Sequence, residues 1–125
     1  PYFATIEPRF QELRPGFCQV SMRKRRGVLN HIRTVHALAI GNLCELAAGM
    51  MMEATLPQEL RWIPRGMTIE YLQKAKTDVT AIARLDKTGW SDGENIGVPV
   101  TAFDTDGKEV TRAVITMYVS RRSAS

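Results

Sequence analysis

The longest apolar pattern in the chain is HALAIGNLCELAAGMMME, from His36 to Glu53. On a helical wheel Ala37, Ile40, Leu43, Cys44, Leu46, Ala47, Ala48, Met50 and Met51 cover most of the surface. Asn42, Glu45, Gly49 and Glu53 form a narrow polar or small stripe at three- and four-residue spacing. A helix apolar on nearly every side is a buried helix, and Pro57 ends it. A carboxylate inside such a helix is costly unless it is paired, protonated or used. From the residues alone, Glu45 reads equally as a structural acid, bonded to Asn42 or to a partner chain, and as a reactive group.

The flanking segments alternate instead. Cys18, Val20 and Met22 alternate with polar neighbours over 17–25, a half-buried strand. Further strands are expected at 66–74 (Met67, Ile69, Tyr71), 77–86 (Val79, Ala81, Ala83, Leu85), 95–103 (Ile96, Val98, Val100, Ala102) and 109–120 (Ala113, Ile115, Met117, Val119). The polar turn KTGWSDG (87–93) and the DTDG signal ending at Gly107 make hairpins of the last of these. Ahead of them, Ile6, Phe10 and Leu13 recur at helical spacing, so a short N-terminal helix or turn is expected, broken at Pro15-Gly16. An irregular loop spans 27–35, and the tail RRSAS should fray. A strand, a long buried helix and four more strands make an α+β domain over 1–125, with a curved antiparallel sheet wrapped round the helix.

Composition narrows the chemistry. The chain has 125 residues, 44% hydrophobic and 24% charged, enough for one domain with a core. Net charge is only +4 and no aromatic-basic signature accompanies it, so no nucleic-acid partner is expected. The runs RKRR (23–26) and RR (121–122) read as solvated strand ends or as a lure for an anionic small molecule. Cys18 and Cys44 lack paired-ligand spacing, so no metal is expected, and each reads as a small buried hydrophobe. Nothing asks for an oxidising compartment, and cytoplasmic residence is expected. The helix is long enough to raise the question of a membrane span, but its two carboxylates and Asn42 argue against one. No signal peptide is visible, and a start at Pro1 rather than Met leaves room for a longer N-terminus.

The stretch NHIRTVHALAIGNLCELAAG (30–49) carries an Asn, a Thr-x-His and an acid nine residues after the His: Asn30, Thr34, His36 and Glu45. WIPRGMTIEYLQKA (62–75) ends in Tyr-x-x-x-Ala. Together they resemble the hotdog-fold acyl-CoA thioesterases of the phenylacetate-degradation type, and most closely an uncharacterised branch of them. The resemblance implies a homodimer or dimer of dimers, an acyl-CoA or related acyl thioester as substrate, no cofactor, and a site at the dimer interface near the helix N-terminus. It implies that Glu45 is nucleophile or general base, that the N–H of Ala37 polarises the thioester carbonyl, and that Asn30 and His36 shape the site. His36 reads as a helix-start residue before a proton carrier, and His31 as a loop histidine satisfied by backbone groups.

Elementary physics suits those roles. The first N–H groups of a helix lack internal partners and carry its positive dipole end. One such donor on a developing oxyanion is worth about 3 kcal/mol. A carboxylate held in apolar surroundings is a stronger base than one in water, which suits a general base near neutral pH. The chain also departs from its relatives. Ala37 and Leu38 stand where Gly is usual, and Arg33 stands in place of a Gly, turned toward a partner or a CoA phosphate. Gly49 and Pro64 occupy the places of a water-holding Ser or Thr. Thr68 is the nearest hydroxyl, and Arg65 is a candidate for CoA phosphate. Two rivals to hydrolysis follow: a non-catalytic acyl-thioester binder on the same scaffold, and a hydratase, whose His and acid would be spaced differently. Met50, Met51 and Met52 read as core, with a soft acyl tunnel as the alternative.

Overall fold

The computed structural model describes residues 7–23 and 37–122. Their elements run β1 (Arg9–Arg14), β2 (Phe17–Met22), α1 (Ala37–Thr55), β3 (Leu60–Tyr71), β4 (Val79–Arg84), β5 (Glu94–Phe103) and β6 (Glu109–Arg121). The strands form one antiparallel sheet in the order β1-β2-β4-β5-β6-β3. The helix lies in its curve, chiefly against β4, β2 and β5 and more loosely against β3.

Alternation decides which side of each strand meets the helix. Cys18, Val20 and Met22 of β2, Val79, Ala81 and Ala83 of β4, Val98 and Val100 of β5, and Ile115, Met117 and Val119 of β6 are buried, as their period of two requires. From the helix, Ala39, Ile40, Leu43, Cys44, Ala47, Ala48, Met51 and Met52 complete that core. Small side chains on both surfaces (Ala39, Ala47 and Ala48 against Ala81, Ala83 and Ala102) suit close approach of helix and sheet. Asp104 shapes the last hairpin: its Oδ1 accepts from the N–H groups of Asp106 and Lys108, at 2.9 Å each.

Two differences from the sequence expectation share one cause. The N-terminal helix or turn is instead an edge strand, β1. Its register runs Phe10 opposite Val20, then Glu12 opposite Gln19 and Leu13 opposite Cys18, with a bulge at Gln11. The extra residue puts Phe10 and Leu13 on one face at i, i+3, which mimics helical spacing. In β3 a second bulge falls between Pro64 and Gly66. Trp62 and Pro64 before it, and Met67, Ile69 and Tyr71 after it, all face the helix side, opposite Val119, Met117, Ile115, Ala113 and Thr111. The break in phase hides residues 60–65 from a search for strict alternation.

Smaller differences concern ends. The helix reaches Thr55, whose hydroxyl donates to the carbonyl of Met51 and accepts from the N–H of Gly16 at 2.9 Å. Arg121 and Arg122 are held rather than frayed. The N–H of Arg121 donates to Asp92, and the N–H and guanidinium of Arg122 donate to the carbonyls of Glu59 and Gln58. The loop at 27–35, with His31, and the final three residues lie outside the described residues.

Candidate active site

Gly41, Glu45 and Gly49 recur every four residues and so share one face of α1, the face turned to β3. Both glycines admit an aromatic ring. A Cβ on Gly41 would lie 3.4 Å from the Tyr71 hydroxyl, and one on Gly49 only 2.9 Å from Cη2 of Trp62. The ring of Tyr71 ties the start of the helix to β3, since its hydroxyl donates to the carbonyl of Ala37 at 3.0 Å. Desolvation, with the neighbouring Cys44 adding to it, raises the pKa of that phenol, so the hydroxyl remains a donor at neutral pH.

Toward the Trp62 end of β3 the strand and the helix part. A cleft of about 340 Å³ opens there, walled by Glu45, Leu46, Gly49, Met50 and Glu53 of the helix and by Trp62 and Pro64 of β3. Its lining is mostly apolar, and Glu45 is half-buried at its side. The acid is therefore not sealed into the core, as an all-round apolar helix implied, but opens to a space that a ligand can enter. Asn42 does not hold it: the Asn42 amide donates to the carbonyl of Leu38 at 2.8 Å. No hydrogen bond or ion pair joins Glu45 to another described residue. Cys44, its neighbour in sequence, points into the core, where burial pushes the thiol up to about 12. That thiol is inert as a nucleophile.

The structure brings Glu45, Gly49 and Pro64 together in this cleft. Ala37 stands at the first turn of the helix, eight residues ahead of Glu45 and so about 12 Å along the axis. Thr68 lies on the other face of β3, opposite Val114, in a shallow groove shared with Glu70 and Arg112. Arg65, at the bulge, stacks its guanidinium 4.4 Å from the ring centre of Tyr118, also away from Glu45. Asn30, Arg33, Thr34 and His36 lie outside the described residues. The sequence reading missed Trp62 and Tyr71 as site neighbours. Two helical glycines eight residues apart, facing a strand with a Trp and a Tyr, were the available signal.

A larger surface hollow of about 620 Å³ lies by the other end of the helix, beside Arg14, Phe17, Thr55, Arg84 and Lys87. Its cations are engaged: Arg14 pairs with Glu12, Lys87 with Glu94 at 2.8 Å, and both arginines stack on Phe17. The smaller cleft, with an acid that no other described residue engages and with apolar walls, is the better candidate for chemistry.

The sequence model of the family described as a domain of unknown function, DUF4442, matches residues 1–119. The chain is a member of the DUF4442 family. Among solved structures, a structural-genomics crystal structure is 56% identical, with a TM-score of 0.91 over 98% of this chain and 82% of that one. A Pseudomonas aeruginosa protein described as a probable thioesterase is 22% identical, with a TM-score of 0.87 over 97% of this chain and 87% of that one. A thioesterase from Haemophilus influenzae is 12% identical, with a TM-score of 0.84 over 95% and 82%. This DUF4442 chain therefore has the hotdog fold. No curated protein matches its sequence.

Proposed function

We propose that this chain hydrolyses an acyl thioester, an acyl-CoA or the same acyl group on a related carrier, in the cleft between α1 and β3. The observation that carries the reading is Glu45: a carboxylate without a partner among the described residues, half-buried, at the side of an apolar space of ligand size. The thioesterase descriptions of the Pseudomonas aeruginosa and Haemophilus influenzae proteins support it. As base, Glu45 takes a proton from water while the water oxygen attacks the carbonyl; the C–S bond then breaks and the thiolate leaves. As nucleophile, Glu45 attacks the carbonyl itself, expels the thiolate and forms a mixed anhydride, which water opens.

The oxyanion needs a second group. Ala37 and Glu45 of one helix stand about 12 Å apart, too far to reach one carbonyl together. Two antiparallel copies of α1 would set the Ala37 amide of one protomer beside Glu45 of its partner. β3 supports such a homodimer. It ends the sheet as a long strand whose Ile63, Met67 and Tyr71 are 44–46% exposed, a surface that calls for cover. Asn30 and His36 take the roles of placing the carbonyl and starting the helix. Arg33, Arg65 and Thr68 are reserved for the CoA end or for the partner. A dimer of dimers would add contacts on the outer sheet face. Free, buried thiols agree with a cytoplasmic setting.

The test is release of free thiol from a panel of acyl-CoAs by wild type and by Glu45→Ala. Turnover by wild type that Glu45→Ala abolishes is expected, and equal rates would remove Glu45 from the mechanism. One observation favours a second reading, a non-catalytic acyl-thioester binder: Gly49 and Pro64 bring no hydroxyl into the cleft to hold water. Thermal stabilisation by an acyl-CoA, about 2.7 kcal/mol at a hundred times its Kd, without turnover would decide for it.

A further inference from the structure

We infer that Trp62 sets the size of the acyl group admitted beside Glu45, an inference that rests on the thioester reading above. The indole reaches from the inner face of β3 across to the helix, and its edge sits on Gly49, one turn past Glu45. A Cβ at Gly49 would lie 2.9 Å from Cη2, so the absence of a side chain there is what lets the ring close the gap. The cleft, about 340 Å³, is near the small end of ligand pockets, which span about 300–1,000 Å³.

The next group on that helix face is Glu53, which is exposed. Glu53 walls the same cleft as Glu45, and Trp62 fills its side at the level of Gly49, between the two acids. Pro64 follows on the same side of β3, and its fixed φ limits how far the strand can adjust. Size selection therefore belongs to the indole rather than to a movable backbone. Removing the ring widens the cleft and makes room for a longer chain, while the acid and the rest of the helix stay in place.

The experiment compares kcat/KM for a straight-chain acyl-CoA series, acetyl to palmitoyl, in wild type, Trp62→Ala, Trp62→Phe, Gly49→Ala and the Gly49→Ala/Trp62→Ala pair. Ligand-induced thermal stabilisation is read on the same series, and circular dichroism confirms folding. Trp62→Ala should raise the ratio of long-chain to short-chain kcat/KM by about tenfold or more, as a pocket enlarged by several methylene volumes does. Trp62→Phe should fall between and serves if the alanine variant does not fold. Gly49→Ala should shift the ratio only while the indole is present, so that the pair matches Trp62→Ala alone. An unchanged ranking in a folded Trp62 variant overturns the inference and leaves the thioester reading standing. Neither hydrolysis nor stabilisation of wild type by any member overturns both.

Discussion

The two sides of α1 are built from one 19-residue segment and behave as opposites. Toward β2 and β4 it presents Leu43, Cys44, Ala47 and Met51, all fully buried against Val20, Ala81 and their neighbours. Toward β3 it presents Gly41, Glu45 and Gly49, meets Tyr71, Ile69 and Trp62 of the strand, and leaves a cleft beside Glu45. The dry side is interchangeable in chemistry and demanding in volume. The open side is loose in volume and demanding in chemistry. Stability and activity should therefore separate cleanly between substitutions a single residue apart on the wheel.

The sharpest break is Glu45→Gln. Turnover should fall by about 10²–10⁴-fold with the melting temperature nearly unchanged, because the acid holds no bond to another described residue. Steady-state kinetics beside a thermal melt checks both halves. On the dry side Leu43→Ala should do the reverse: a loss of about 2–5 kcal/mol in urea unfolding, with wild-type turnover per folded molecule. Comparable losses of activity from the two would erase the contrast. Tyr71→Phe tests the seam between the sides. It removes one hydrogen bond to the Ala37 carbonyl, and a cost of about 0.5–1.5 kcal/mol is expected by denaturant titration.

The smallest effect at working pH comes from the thiols. Burial pushes Cys18 up to about 11 and Cys44 up to about 12, from an ordinary 9.0. A group whose pKa is raised by folding supports the fold fully below its unfolded pKa and stops doing so as pH climbs through the folded value. Stability should thus be insensitive to these groups at pH 7–8 and should decline between about pH 9 and 12. Guanidinium melts of a Cys18→Ala/Cys44→Ala variant, with a flatter decline across that window, would check it.

What was legible in the chain follows the same division. The dry side was plain: residues at period two in four strands, and the apolar positions of the helix, fell where their spacing put them. Glu45, Gly49 and Pro64 stand out in the sequence and share the cleft. Trp62 does not, because the bulge at Arg65 shifts the phase of β3 between Pro64 and Gly66. Thr68 is displaced for the same reason. It counts as a near neighbour along the strand, yet the pleat turns it to the opposite face. The bulge at Gln11 likewise disguised β1 as a helical turn. One inserted residue costs a period-based reading more than a substitution does, since every later position changes side.

The place of β3 in the sheet order has a consequence for how the molecule is made. Among the described residues its only neighbour is β6, the last of the described strands, while the helix and β2 have β4 to settle on much earlier. During synthesis, the hydrophobic seat for the helix can assemble while β3 still waits unpaired for sequence that has not left the ribosome. The wall that carries Trp62 is consequently the final piece to dock. A nascent chain cut short before Glu109 would retain a helix and much of its bed, but no enclosed space beside Glu45.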